Sequence, residues 1–139
     1  MSLIGQLGGY EQAKEIAFDP LHPQMTHVSI DGCHWVNEEF AHIPEINEQM
    51  KGMVKIGEIR HALLEYRRAN NIYEAGDKVV RTHSRSKPKI WAVEGVSNVF
   101  LKHYVCDADG ELLEHFSEYE IRHATDEEIE AGKRLGGAA

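Results

Sequence analysis

Hydrophobic positions repeat with a helical period at two places along the chain, and capping residues mark a third helix. Tyr10, Ala13, Ile16 and Ala17 share one face at helical spacing, which predicts a short helix over Tyr10 to Phe18. Asp19-Pro20 stops it, and Pro23 extends the break into a loop over Asp19 to Gln24. The clearest helix is predicted from about Gly57 to Asn70, where Ile56, Ile59, Leu63 and Tyr66 form an apolar stripe. Glu58 near its start and Arg67 and Arg68 near its end suit the helix dipole. Thr125 begins a third helix as its N-cap, with Glu128 three residues on completing a capping box. Lys133 and Arg134 favour the end of that helix, and Gly136 is expected to terminate it.

Elsewhere the period is two. Met25 to Ile30 and Cys33 to Val36 flank Asp31-Gly32, a pair favoured in a two-residue type I′ turn. That turn sets Ile30 opposite Cys33 and Val28 opposite Trp35, all four on a core face. Ser29, His34, His27 and Val36 take the other face. Asn37 to Gln49 reads as a polar loop, interrupted by Pro44, with room for one helical turn. From Asp77 onward the chain reads as strands: Lys78 to Thr82, Lys89 to Val96, Val99 to Cys106, Glu111 to Ser117, and a short one around Glu120 to His123. Asp107 to Gly110 supplies a turn. Short strands this closely spaced suggest a small curled sheet or SH3-like barrel.

The expected fold class is therefore α+β: an N-terminal helix and β-hairpin, a central amphipathic helix, then a small antiparallel SH3-like β-sheet or barrel closed by a helix. Two regions follow from this, 1–76 and 77–139, which could form one compact body. Met1 to Leu3 and Gly136 to Ala139 are treated as frayed ends without a role in the fold.

Composition narrows the function classes. A chain of 139 residues buries about two thirds of its unfolded surface, so it needs neither metal nor disulfide to hold a core. The formal charge of −8 argues against broad binding to DNA or to an anionic membrane. Cys33 and Cys106 lie far apart without a metal-type or redox-type spacing, which points to a reducing cytoplasm. No stretch approaches the roughly 20 apolar residues of a membrane span, and the first residues do not read as a signal peptide.

Nine histidines raise the question of a metal. His27 and His34 are diagonal neighbours in the expected hairpin, but Cys33 points to the opposite face, and two histidines fall short of zinc's usual ligand count. His103 and Cys106, three apart on a strand, face opposite sides, so they and His115 form neither a metal site nor a Cys–His nucleophilic pair. Asp107, Asp109 and Glu111 superficially match a calcium loop, but Gly110 falls at the wrong position and a hairpin turn is the better reading. No phosphate-binding glycine loop, nucleophile elbow or zinc-protease motif occurs. The expectation is a protein that is not an enzyme and takes no cofactor, with a histidine-based metal protein or enzyme as the alternative reading.

One dense basic run remains: Arg81, His83, Arg85, Lys87 and Lys89, with Trp91 just beyond. Serine and threonine between the charges could add hydrogen bonds to phosphate, so these six residues are the candidate binding site, with nucleic acid as a possible partner. Arg60, Arg67 and Arg68 either extend that patch or pair with Glu58 and Glu65. Trp35, Trp91, Phe100, Tyr104 and Phe116 read as core aromatics.

The tail Arg122-His-Ala-Thr-Asp-Glu-Glu-Ile-Glu-Ala-Gly-Lys-Arg-Leu135 resembles that of small accessory proteins of enterobacterial phages and prophages. His61-Ala-Leu-Leu-Glu-Tyr-Arg-Arg68 running into Ile72-Tyr-Glu-Ala-Gly-Asp-Lys-Val-Val80, and Thr26-His27 leading into a tryptophan hairpin, are similar to the same group. The resemblance implies a phage-derived cytoplasmic protein and no catalytic residue. The expected function is a non-enzymatic module that binds a host or phage protein or pairs as a homodimer, without contact with a membrane.

Overall fold

A computed structural model describes residues 2–82, 88–97, 103–108 and 112–135. The chain divides into two compact units, Met1–Ala69 and Asn70–Ala139.

The first unit opens with α1 (Leu3–Gln6), capped by Ser2, whose hydroxyl accepts from the Gly5 N–H at 3.1 Å. Leu3 packs against the core beside the buried Ile4 and Leu7, so Ser2 and Leu3 have a role in the fold, contrary to the frayed end expected for Met1 to Leu3. Gly8 and Gly9, at φ of 96° and 105°, turn the chain into α2 (Tyr10–Ala17), which buries Ala13, Ile16 and Ala17 as its spacing requires. Strands β1 (His27–Val28), β2 (Trp35–Val36) and β3 (Val54–Lys55) form an antiparallel sheet in the order β2-β1-β3. Between β2 and β3 lie a 3-10 turn (Glu38–Phe40) and α3 (Pro44–Met50). Pro44 starts that helix and does not interrupt it, because an N–H in the first turn has no intrahelical acceptor and proline there forfeits no helical hydrogen bond.

The hairpin keeps the expected register, Val28 opposite Trp35 and His27 opposite Val36, but its turn differs. Gly32 N donates to Ser29 O at 2.9 Å, which centres the turn on Ile30 and Asp31. Among the described residues Asn71 alone has positive φ without being glycine, so Asp31 does not sit in a type I′ turn. Instead its carboxylate accepts from the Cys33 N–H at 3.0 Å and from the Ser29 hydroxyl, an Asx-type turn. The expected core face changes accordingly. Ile30 and Cys33 are exposed, whereas His27 and Val36 are buried beside Val28.

Helix α4 (Ile56–Asn70) lays Ile56, Ile59 and Leu63 into the core with Val28, Ile16 and Leu7. Tyr66, the last member of the stripe, is 39% exposed and stacks on Tyr10 with ring centres 5.0 Å apart. Arg68 pairs with Glu65 at 2.9 Å, one helical turn away.

The second unit is a five-stranded antiparallel sheet, β4 (Lys78–Arg81), β5 (Trp91–Ser97), β6 (His103–Ala108), β7 (Leu112–Ser117) and β8 (Ile121–His123), followed by α5 (Asp126–Ala131). The strand order is β7-β6-β5-β4-β8, and no ladder joins β7 to β8 among the described residues. Its core gathers Tyr73, Val79, Trp91, Val93, Tyr104, Cys106, Phe116 and Ile121. Residues 70–76 belong with this unit. Tyr73 packs edge-on against Tyr104, and its hydroxyl donates to Ile121 O at 3.2 Å.

Thr125 and Glu128 form the expected capping box. The helix ends earlier than expected, however. Gly132, at φ 72°, is the left-handed C-cap, whereas Gly136 lies outside the described residues.

Candidate functional site

The basic run is divided by its surroundings. Arg81 closes β4, where its guanidinium lies 4.8 Å over the Phe116 ring and 3.6 Å from Glu120. Lys89 forms a lone antiparallel bridge with Lys133. Trp91 opens β5 and is 5% exposed, set edge-on to Phe116 with ring centres 5.0 Å apart. Both ends of the run are thereby tied to the fold of the second unit, Arg81 by its charge and Trp91 by its ring. His83, Arg85 and Lys87, with Phe100, lie outside the described residues.

The central-helix arginines have local partners too. Arg60 donates through Nε and Nη2 to Ala17 O, at 3.1 and 2.9 Å, and lies 4.6 Å over the Phe18 ring. This ties the end of α2 to α4, in place of the pairing with Glu58 considered from sequence.

Cys106 is fully buried on β6. Burial, and secondarily Glu94, pushes its thiol up to about 11, so it stays protonated at neutral pH and is no nucleophile. Cys33 is exposed in the hairpin loop. No group of three or more histidine, cysteine, aspartate or glutamate residues converges on a metal position among the described residues. Asp109 to Glu111, the heart of the calcium-like stretch, lie outside them. No helix is long and apolar enough to cross a membrane among the described residues.

Two features remain that offer a surface to another molecule. The first is β7, the outer strand of the five-stranded sheet. It carries Leu113 at 61% exposed and leads into the turn that holds Tyr119 at 84% exposed. Neither proline nor lysine interrupts Leu112 to Ser117, and Glu114 is the one carboxylate on the strand.

The second is a cleft of about 440 Å³ in the first unit, at the start of α4. Thr26 and His27 line it from β1 and the residue before it, and Lys55, Gly57 and Arg60 from the β3–α4 segment. Sequence reading treated His27 as an exposed strand residue, yet it is 5% exposed.

No protein-family model, curated protein or solved structure matches the chain.

Sequence reasoning missed the cleft because its walls come from distant segments brought together by the β1–β3 ladder, in which His27 faces Lys55. Neither segment carries a motif alone. The available signal was the pair of small or polar residues flanking the helix start, Lys55 and Gly57, where a helix normally carries a capping side chain.

Proposed function

We propose that this chain is a non-enzymatic, phage- or prophage-type accessory protein of the bacterial cytoplasm that binds a host or phage protein through the second unit. The edge strand β7 carries this reading. A six-residue strand last in the order of the described strands offers its outer side to an incoming extended segment, and Leu113 and Tyr119 give that segment apolar contacts. The order β7-β6-β5-β4-β8 also supports an SH3-like reading, since it places the last strand beside the first of a four-strand meander. Fold alone would not assign a partner. The acidic residues Glu114 and Glu118, exposed on and just after β7, favour a partner segment that is basic or neutral.

The test is capture of a partner from host lysate by the wild-type chain and by Leu113→Lys. Loss of the partner with an unchanged thermal melt supports docking on β7. Equal capture by the variant removes it. Sedimentation of the purified chain distinguishes a second copy as the occupant: a dimer that Leu113→Lys splits would make this edge a homodimer contact.

A further inference from the structure

Helix α3 has an apolar face that its own unit leaves largely uncovered. Ile43, which is its N-cap, Ile46 and Met50 recur at i, i+3 and i+7 and so share one side. Ile43 N donates to Phe40 O at 3.0 Å, a turn that brings Phe40 up to the start of that stripe. The longer helices of the unit use such a stripe to build the core: α2 buries Ala13, Ile16 and Ala17, and α4 buries Ile56, Ile59 and Leu63. Neither the 3-10 turn nor α3 buries a single residue. Phe40 is 48% and Ile43 36% exposed. Ile46 and Met50 are half-buried where α3 lies against β2. None of the four belongs to the core cluster or to the hydrophobic residues packed against it.

The charge around the stripe decides what can cover it. Residues 37–50 hold four glutamates, Glu38, Glu39, Glu45 and Glu48, and neither lysine nor arginine. Lys51, the next cation, pairs with Glu48 at 3.0 Å. Glu38 and Glu39 precede the stripe, whereas Glu45 and Glu48 lie round the far side of α3. A helix is about 10 Å across, comparable with the screening length in physiological salt, so all four carboxylates bear on whatever lies along the stripe.

A second copy of this face would set carboxylates against carboxylates, and an anionic membrane would be repelled for the same reason. A cationic helix with one apolar side gains on both counts. Its apolar side covers Phe40 and Ile43, and its lysines or arginines meet the glutamates. We propose that the Phe40–Ile43 face of the first unit docks a basic amphipathic helix of a partner protein, independently of β7.

Amide NMR titration of the full chain tests this with three synthetic peptides of about 14 residues: leucine and lysine at helical spacing, a scrambled isomer of it, and the same helix with glutamate in place of lysine. The first is expected to shift the amides of residues 38–50 saturably, while the other two leave them in place. The scrambled isomer keeps the charge, so it separates docking from the attraction of any polycation to a chain of formal charge −8. Phe40→Ser with Ile43→Ser should weaken the first peptide by about tenfold or more. Glu38→Gln with Glu39→Gln, which leaves the apolar face intact, should weaken it at low salt and not at high salt. The proposal fails if the first peptide gives no saturable shift, if the scrambled isomer does as well, if the shifts fall outside residues 38–50, or if either double variant binds as tightly as wild type at low salt. A dimer in sedimentation that Phe40→Ser splits would give the face to a second copy, and neutral lipid vesicles that shift the same amides would give it to a membrane; either result overturns the proposal.

Discussion

Arg122 and Glu128 form a two-pronged ion pair, Nη1 2.7 Å from Oε1 and Nη2 2.8 Å from Oε2. Glu128 is 1% exposed, and its carboxylate also accepts from Thr125 N at 3.0 Å and Leu135 N at 2.7 Å. One side chain therefore fastens the end of β8, the cap of α5 and the chain that leaves it. A buried carboxylate survives as an anion only because each oxygen is satisfied in this way.

Acid should loosen the second unit in a defined window. The Arg122 guanidinium first, then the Thr125 and Leu135 N–H groups, hold the Glu128 carboxyl down from 4.5 to about 2 against the opposing effect of burial. A depressed carboxyl stabilises the fold fully above its unfolded value and loses that contribution as pH falls through its folded one. Melting temperature followed by Trp91 fluorescence should thus drop between about pH 4.5 and 2. Glu128→Gln should cost about 2 kcal/mol at neutral pH, the lower part of the range for charged hydrogen bonds because the Arg122 side chain is 39% exposed. It should also flatten the acid limb. An acid limb of unchanged depth in the variant would remove Glu128 as its origin.

The two thiols should separate by reactivity. Cys33 is exposed and should react with a disulfide reagent at once, whereas Cys106 is buried and its thiol is pushed up to about 11. One fast equivalent in the native protein and a second only in denaturant are expected. Two fast equivalents would mean that β6 opens readily.

Much of this architecture was legible wherever a period repeats over several turns. Ile56, Ile59 and Leu63 mark α4, and the alternation around Tyr104 and Cys106 marks β6, because burial of one face forces each pattern. Legibility failed where side chains compete with backbone conventions. At Asp31 the carboxylate builds its own turn, so the Asp-Gly signal fell one position away from the turn's true centre. At Pro44 the same residue that breaks a helix interior begins α3. Of the candidate site, sequence alone located Arg81 and Trp91 but not the packing of both against Phe116. The cleft depends on a ladder between β1 and β3 that no local pattern encodes.

Nucleic-acid binding through the basic run should be weak. Arg81 is drawn to Glu120 and Phe116, and the whole chain carries a formal charge of −8. Fluorescence anisotropy with a short labelled DNA duplex at about 50 mM salt should show no saturable binding, since so few phosphate contacts leave little counterion release to drive it. Tight binding that weakens steeply with salt and is lost in Arg85→Ala plus Lys87→Ala would instead assign the run to nucleic acid.

Two glycines of opposite character test the backbone account of the helices. Gly132 caps α5 at φ 72°, with its N–H donating to Glu128 O at 2.8 Å, while an added Cβ would meet no atom within 4 Å. Steric space is therefore not what requires glycine there; the left-handed backbone is. Gly132→Ala should cost about 1–2 kcal/mol, with Gly132→Asn milder because asparagine tolerates that region. Gly57 has the same open surroundings but sits inside the first turn of α4, without positive φ. Gly57→Ala should therefore raise stability by about 0.5–1 kcal/mol, as alanine restricts the unfolded chain and suits a helix. Denaturant unfolding of both variants separates the two effects by sign, and a loss of stability at Gly57 equal to that at Gly132 would contradict the conformational explanation for both.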